Sequence, residues 1–206
     1  MTEKEKMLKG MIYDGACEEL LSLRTKAHRL SKEYNNTNDD EIEKRNEILK
    51  ELVPNGNGVL LQSPVFFDYG LFTYFGKNCY VNFNFTVLDC APVTIGDNVF
   101  FGPNVSIYTP VHPFLAKERN LFFDKDKGYV TDEEYAKPIT IESDCWIAGN
   151  VVICGGVTIG HDCVIGAGSV VTRDIPPHSF AAGNPCKVIR KITEKDSIKL
   201  KKELYE

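Results

Sequence analysis

A six-residue spacing of aliphatic residues dominates the second half of the chain. Neither a helix, which repeats about every 3.6 residues, nor an ordinary strand, which alternates, requires such a period. A parallel β-helix does, because each flat wall contributes one short strand, each corner contributes one turn, and successive coils stack. The spacing is unbroken over Ile141, Ile147, Ile153, Ile159, Ile165 and Val171. The sequence therefore predicts a mainly β solenoid.

The size of the coil follows from the same spacing. Three walls of six residues give a coil of about 18 residues, so Ile147 and Ile165 should lie directly above one another. The register also occurs upstream, at Ile95, Phe101 and Ile107 and at Phe75 and Val81. Each buried side chain of this kind contributes roughly 1.5–3 kcal/mol. We expect residues 141–171 to be the most stable part of the fold.

The composition excludes several classes of protein. The 206 residues are enough for one or two domains, and 43% hydrophobic residues can form a real core. The net charge is −5, and no block of Lys and Arg is combined with aromatic residues, which argues against nucleic acid as a partner. We expect no membrane contact, since no stretch approaches the roughly 20 apolar residues that span a bilayer. The N-terminal sequence MTEKEKMLKG is too charged for a signal peptide.

The seven cysteines indicate reduced thiols. Their number is odd, and the sequence contains no Cys-x-x-Cys pair of the kind found in zinc ribbons. Several occupy inward positions of the six-residue register, where cysteine behaves as a small hydrophobic residue. Free thiols are typical of the cytoplasm, so we expect a cytoplasmic protein.

The chain should divide into three parts. They are an N-terminal helical segment (1–56), a β-helix domain (57–192) and a C-terminal helix (193–206) with Thr193 as its N-cap. The N-terminal segment begins with a capping box at Thr2–Glu5. It continues with two apolar stripes at helical spacing, the second formed by Ile42, Ile48, Leu49 and Leu52. Such short helices cannot form a core alone, so we expect them to cover one end or side of the solenoid.

One interruption breaks the register, between Tyr108 and Pro138. A polar, charged stretch replaces it, and we predict an inserted loop over about 113–137. Long loops inside compact domains are usually functional or disordered.

Of the four histidines, His112 is the candidate for catalysis. It lies in Thr109-Pro110-Val111-His112-Pro113, where prolines fix the backbone and the solenoid register ends. Because imidazole titrates near neutral pH, it can serve as a general base. From local context alone, a role as a turn residue is equally compatible. His28, His161 and His178 are interpreted as structural or solvent-exposed.

An ordered set of motifs makes the chain resemble a known family. The set comprises the hexapeptide repeats, Asn82-Phe83-Asn84, the Thr-Pro-Val-His-Pro segment, Lys137-Pro138-Ile139-Thr140-Ile141 and Ala182-Gly183-Asn184-Pro185. Together these motifs resemble the galactoside and maltose O-acetyltransferases, a branch of the hexapeptide-repeat acyltransferases, over nearly the whole chain. The resemblance implies a left-handed parallel β-helix, a homotrimer with active sites between subunits, and acetyl-CoA as acetyl donor.

The resemblance also implies roles for acceptor-side residues. By matching position, His112 resembles the base that removes a proton from a sugar hydroxyl. Asn82 resembles the residue whose amide stabilises developing negative charge in the transition state. Asp14, Asp68 and Asn82 match acceptor-binding positions, and a carboxylate suits this task because each oxygen can accept a hydrogen bond.

A second set of residues matches donor-binding positions. Gly149 corresponds to the position whose backbone N–H meets the thioester, and Lys187 and Arg190 correspond to basic positions near the adenosine phosphates, where charge-assisted hydrogen bonds are strong. The full set is Trp146, Gly149, Ala167, Thr172, Arg173, Lys187 and Arg190.

Three departures from the family pattern concern the acceptor side. The chain has Leu88-Asp89-Cys90 where galactoside-type relatives carry a second acid, and Asp68 where they carry a serine. The segment Phe114–Ala136 is about ten residues longer than expected and can reshape the acceptor pocket. Glu134, at the end of this segment, is a further candidate for that pocket.

The leading hypothesis is an acetyl-CoA-dependent O-acetyltransferase acting on a maltose-, glucose- or galactoside-like sugar, with His112 as general base. Acetylation of another hydroxyl or amine acceptor, such as an antibiotic or amino sugar, is the enzymatic alternative. A non-catalytic trimeric solenoid is another. A zinc hydratase needs about three His ligands per metal, and only His112 and His161 lie within the coils, so no metal is predicted.

Overall fold

The computed structural model describes residues 1–204, and most of them form a three-walled parallel β-solenoid. The helices are α1 (Glu3–Leu8), α2 (Glu18–Asn35), α3 (Ile42–Leu52) and α4 (Ala116–Arg119). The strands are β1 (Leu60–Leu61), β2 (Val65–Phe67), β3 (Thr73–Phe75), β4 (Tyr80–Val81), β5 (Phe85–Leu88), β6 (Val93–Ile95), β7 (Phe100–Phe101), β8 (Ser106–Tyr108), β9 (Pro110–Val111), β10 (Phe122–Asp124), β11 (Tyr129–Thr131), β12 (Tyr135–Ala136), β13 (Ile139–Ile141), β14 (Trp146–Ile147), β15 (Val152–Cys154), β16 (Thr158–Ile159), β17 (Val164–Ile165), β18 (Val170–Val171), β19 (Ser179–Ala182) and β20 (Lys187–Lys191).

The three walls confirm the fold predicted from the six-residue spacing. The first wall has the strand order β1-β4-β7-β14-β17-β19-β20, the second β18-β15-β8-β5-β2, and the third β16-β13-β6-β3. The chain passes from first to second to third wall in each coil, and strands on adjacent coils pair in parallel. Ile147 is level with Ile165, as predicted. The aliphatic side chains point inward and are almost completely buried.

The upstream coils are longer than the predicted 18 residues. Leu61 is level with Val81, twenty positions later, whereas Ile147 and Ile165 are eighteen positions apart. The extra residues lie at the corner between the second and third walls, where β2 is followed by 68–72 and β5 by 89–92. Because the two extra residues lie at one corner, the inward-pointing side chains on all three walls still stack on those of the next coil.

Asp89 holds these corner extensions together. Its side chain is fully buried, and its Oδ1 accepts hydrogen bonds from the backbone N–H groups of Tyr69 (2.8 Å) and Gly70 (3.1 Å). Its Oδ2 accepts from Phe72 N–H and from the Thr73 hydroxyl, both at 3.1 Å. Burial raises the pKa of the Asp89 carboxyl, and these hydrogen bonds oppose the increase. Asp89 therefore accepts hydrogen bonds from backbone N–H groups that do not pair with a neighbouring coil.

The N-terminal helices cover the first coil, as predicted. Thr2 and Glu5 form the expected capping box. Tyr34 and Arg45 both hydrogen-bond the carbonyl oxygen of Leu61, at 2.5 and 3.1 Å, and so satisfy the edge strand of the first wall. Ile42, expected on the apolar face of α3, is instead 64% exposed.

The predicted C-terminal helix over 193–206 is wrong. Strand β20 folds back antiparallel on β19. It is followed by three separate 3₁₀ turns at Glu194–Asp196, Ile198–Leu200 and Lys202–Leu204. The first turn does have the capping box at Thr193. The apolar residues of this segment, Ile198, Leu200 and Leu204, are all exposed, and a short helix without a packed face is not stable. Residues 205–206 lie outside the described part of the chain.

The inserted segment has secondary structure of its own. It contains α4 and the antiparallel hairpin β10–β11, and β12 pairs with β9 as it returns to the solenoid. It therefore differs from a plain loop over about 113–137. Among residues 1–204, we find no helix that combines the length and the apolar character needed to cross a membrane.

Replacing Asp89 tests the importance of the corner extensions. Asp89→Ala leaves several backbone donors without a partner, so we expect the free energy of unfolding to fall by roughly 3–5 kcal/mol. Urea denaturation at one fixed protein concentration measures this. The matched control is Asp97→Ala, an exposed corner carboxylate that accepts from Lys77 N–H, for which we expect a loss below about 1 kcal/mol. Equal losses in the two variants would contradict the assignment.

Candidate active site

His112 lies at the corner between the second and third walls, directly after β9. Its side chain is 52% exposed. Its Nδ1 is 3.5 Å from Oδ2 of Asp132, and its Nε2 is 3.8 Å from Oε2 of Glu134. Both distances exceed a normal hydrogen bond. An accessible imidazole is thus flanked by two carboxylates, which would attract a positive charge forming on the ring.

Glu134 is positioned by the N-terminal segment. The backbone N–H of Tyr13 donates to the Glu134 carbonyl oxygen at 3.1 Å, in an isolated antiparallel bridge. Burial raises the pKa of the Glu134 carboxyl. Gly15 leaves room for this side chain, since a Cβ there would lie 2.7 Å from Glu134 Oε1. Two segments that are distant in sequence therefore place a largely buried carboxyl beside His112.

Asp14, the neighbour of Tyr13, is buried under the insert. It accepts hydrogen bonds from Lys127 Nζ (2.8 Å), the Tyr129 hydroxyl (2.6 Å) and the Thr131 hydroxyl (2.5 Å). Burial by itself raises the pKa of Asp14, but these hydrogen bonds outweigh it and lower the pKa to about 2. The carboxylate expected to bind the acceptor thus has its oxygens engaged by the hairpin, and its role in acceptor binding remains a prediction.

Asp68 lies at the same corner, at the end of β2, in a cavity of about 430 Å³. Its Oδ1 is 3.4 Å from His28 Nε2. The other lining residues come from α2 and the second wall: Ser31, Lys32, Asn35, Asn36, Phe66, Phe67 and Leu88. The Ser31 hydroxyl is buried without a hydrogen-bond partner among the described residues. Polar groups that converge on apolar walls suit a small polyhydroxy ligand.

Asn82 lies at a different corner, between the first and second walls. Successive coils stack there, because Asn82 N–H donates to Phe101 on the next coil at 3.1 Å, and Gly102 N–H donates to Ile147 at 2.7 Å. The corner is tight, since a Cβ on Gly102 would lie 2.5 Å from Gly149 N.

Two of the donor-side residues occupy this same corner. Gly149 and Ala167 are on adjacent coils, and the Gly149 carbonyl accepts from Gly168 N–H at 3.0 Å. Trp146 precedes them on the outer face of the first wall, where it is level with Val164 and 55% exposed.

The second wall separates Asn82 from His112. Asn82 precedes β5, whereas Leu88 ends β5 and is level with Tyr108, four residues before His112. The four extended residues of β5 alone span about 10 Å, whereas catalytic hydrogen bonds need about 3 Å. A single chain therefore does not bring these two candidate residues together.

The remaining donor-side residues lie at the last coil. A cavity of about 470 Å³ brings together Thr172, Arg173 and Lys187. Arg190 is not among its lining residues: its Nη2 is 2.7 Å from Asp196 Oδ1, and its guanidinium lies over the Phe180 ring at 5.6 Å.

Sequence reasoning missed several residues of this region. Lys127, Tyr129 and Thr131 are spaced by two, the last two on β11 and Lys127 in the turn before it. This spacing, which places strand side chains on one face, could have marked them as a unit. Asp132, beside His112, and His28, beside Asp68, gave no comparable signal, because both contacts depend on how distant segments fold together.

Comparison with known proteins supplies the family. Residues 6–56 match the description "Maltose acetyltransferase hexapeptide capping motif", and residues 138–173 match "Bacterial transferase hexapeptide (six repeats)". A galactoside O-acetyltransferase of Escherichia coli (strain K12) is 41% identical over 197 residues, which cover 95% of this chain and 92% of the relative. The chain belongs to the maltose and galactoside O-acetyltransferase family. By family it is an acyltransferase of the hexapeptide-repeat class.

Two solved structures of this family resemble the fold closely. A maltose O-acetyltransferase from Clostridium difficile 630 superposes with a TM-score of 0.85 and 43% identity, over 94% of this chain and 99% of that one. A galactoside acetyltransferase in complex with coenzyme A gives a TM-score of 0.81 and 38% identity, over 95% of this chain and 94% of that one.

The hydrogen bonds that Lys127, Tyr129 and Thr131 donate to Asp14 predict a pH-dependent contribution to stability. Because the folded pKa, about 2, is below the ordinary aspartate value of about 3.9, the stability it contributes is fully present above about pH 4 and is lost as pH falls toward 2. We expect Asp14→Asn to lower the free energy of unfolding by about 1–2 kcal/mol at pH 7. The difference should disappear near pH 2.

Urea denaturation across this pH range measures the effect. The control is Asp126→Asn, at the exposed tip of the same hairpin, for which we expect little change at any pH. A deficit in Asp14→Asn that stays constant with pH would contradict the hydrogen-bonded, ionised carboxylate.

Proposed function

We propose that the protein is an acetyl-CoA-dependent O-acetyltransferase that acts on a hydroxyl of a sugar, with His112 as general base. The observation that carries this proposal is the exposed imidazole of His112, flanked by the Asp132 and Glu134 carboxylates at the corner that also holds Asp68. The relatives named above support the class of reaction, since one is a galactoside O-acetyltransferase and one was solved with coenzyme A.

The reaction is a direct transfer. The imidazole of His112 takes the proton of the acceptor hydroxyl, and the oxygen attacks the thioester carbonyl carbon. The carbon–sulfur bond then breaks, and the coenzyme A sulfur leaves and receives a proton. Positioned proton transfer of this kind accelerates a reaction by roughly 10²–10⁴. The flanking carboxylates stabilise the imidazolium that forms during transfer.

Asn82 and the donor-side residues complete the site in this proposal. The Asn82 amide donates a hydrogen bond to the oxygen on which negative charge develops. Gly149 N–H binds near the thioester, and Lys187 with Arg173 binds the phosphates of the coenzyme, where charge-assisted hydrogen bonds are strong. Trp146, Ala167 and Thr172 keep their expected places along the coenzyme, and Arg190 keeps its expected place near the phosphates.

The separation of Asn82 from His112 supports a site shared between two chains. Each chain presents His112 at one end of the second wall and Asn82 at the other, with the length of β5, about 10 Å, between them. A ring of identical subunits brings the His112 corner of one copy to the Asn82 corner of the next, which is a closed heterologous contact. We therefore infer the homotrimer that the family resemblance implies.

The role of His112 is tested by thiol release from acetyl-CoA with a panel of glucosides, galactosides and maltose. His112→Ala should lower kcat at least about 100-fold, the loss of a general base, with little change in the KM for acetyl-CoA. The control is Lys117→Ala, on the exposed helix α4 of the insert. If His112→Ala retains more than about a tenth of wild-type turnover, the assignment is wrong.

The shared site is tested by mixing two inactive variants. His112→Ala and Asn82→Ala should each be inactive alone. In trimers formed from equal amounts of both, about a quarter of the sites regain one intact His112 and one intact Asn82 from neighbouring chains. Co-expression with light scattering for the oligomeric state makes the measurement. If both residues act within one chain, the mixture stays inactive.

A further inference from the structure

Two histidines and an aspartate cluster at the corner between the third and first walls, away from the His112 corner. His161 and Asp162 form the turn between β16 and β17, and His178 precedes β19 one coil above. The backbone N–H of His178 donates to the His161 carbonyl oxygen at 2.9 Å. Stacking of the coils therefore brings together side chains that are 17 positions apart in the sequence.

The backbone at this corner is fixed by a column of left-handed residues. On five successive coils one residue has a positive φ at this level: Asn78 (57°), Asn98 (56°), Asp144 (63°), Asp162 (57°) and His178 (56°). Asn98 Nδ2 donates to Asp144 Oδ1 at 2.8 Å, and Asn78 Nδ2 donates to Asn98 Oδ1 at 3.1 Å. Asn, Asp and His adopt this conformation more readily than most residues. The column ends in a histidine, His178.

The side chains are arranged as ligands are around a metal ion. His161 Nδ1 is 2.7 Å and His178 Nδ1 is 3.6 Å from Oδ2 of Asp162. One ligand atom from each residue lies within 4.8 Å of both others. Tetrahedral ligands about 2.0–2.2 Å from a zinc ion are roughly 3.3–3.6 Å from one another. The 2.7 and 3.6 Å separations from the Asp162 oxygen are close to that spacing.

The chemistry of the group selects the kind of ion. Imidazole suits zinc, nickel and copper, whereas magnesium and calcium prefer sites made of oxygen ligands alone. The three side chains are 46%, 48% and 56% exposed, so water can complete the coordination. Glu142 adds negative charge beside the cluster, because its Oε2 accepts from His161 N–H at 2.8 Å.

We propose that His161, Asp162 and His178 form a binding site for a borderline divalent metal ion, with Zn²⁺ as the representative. The ion ties the turn at 161–162 to the turn that leads into β19. Since β19 pairs with β20, which begins at Lys187, the site fastens the C-terminal end of the solenoid. This role is structural and independent of the acyl transfer proposed above.

The test is calorimetric titration of the full chain, without an affinity tag, with ZnCl₂ and separately with MgCl₂. We expect one Zn²⁺ per chain, no measurable Mg²⁺ binding, and a higher thermal midpoint with Zn²⁺. His178→Asn is the decisive variant, because Asn78 and Asn98 occupy the same corner position on other coils. It should fold normally and bind Zn²⁺ at least about tenfold more weakly.

Two further variants separate this site from other zinc ligands. His161→Ser should weaken binding in the same way. Serine is the residue at the equivalent position of the preceding coil, Ser143. His28→Asn removes an exposed histidine that also lies beside a carboxylate, Asp68, but without a second imidazole, and it should bind Zn²⁺ as the wild type does. Zinc affinity that is unchanged in both His178→Asn and His161→Ser, or zinc binding no tighter than that of magnesium, would overturn the proposal.

Discussion

The stacking of one coil on the next is the constraint on which the rest of the structure depends. Each short strand pairs with the strands above and below it, and each inward side chain packs on the one at the same level. This pairing persists across the insert, since Phe101 is level with Ile147 although 46 positions separate them. A residue is therefore located by two coordinates, its coil and its corner. Chemical groups that share a corner become neighbours, whatever their distance in sequence.

The corners differ in what they hold. The corner between the second and third walls carries His112, Asp68 and the two-residue extensions that Asp89 satisfies. The corner between the first and second walls carries Asn82 and Gly149. One wall separates them, so the direct transfer that we propose needs a neighbouring copy to bring both groups to one substrate. In the proposed enzyme, one chain alone therefore does not contain a complete site.

The insert adds groups to the corner that carries His112. Its hairpin supplies Lys127, Tyr129 and Thr131 to the Asp14 carboxylate, and its last residues place Asp132 and Glu134 around His112. In the proposed enzyme, the insert therefore acts on acceptor binding and on the electrostatics of the base. A buried, fully hydrogen-bonded carboxylate is also costly to expose, which couples the order of the hairpin to the N-terminal segment.

The sequence by itself determined the solenoid, its three walls and the N-terminal helical segment. The inward side chains of successive coils must stack on one another, and the six-residue period of aliphatic residues shows where they do so. It also located His112, where the register ends. Only the tertiary structure decided which groups meet: Glu134 beside His112, Lys127 on Asp14, and His178 over Asp162. Periodicity describes one wall at a time, whereas these contacts depend on which corners share a level. The C-terminal segment shows the same limit, since Ile198, Leu200 and Leu204 are expected to form the apolar face of a helix but remain exposed.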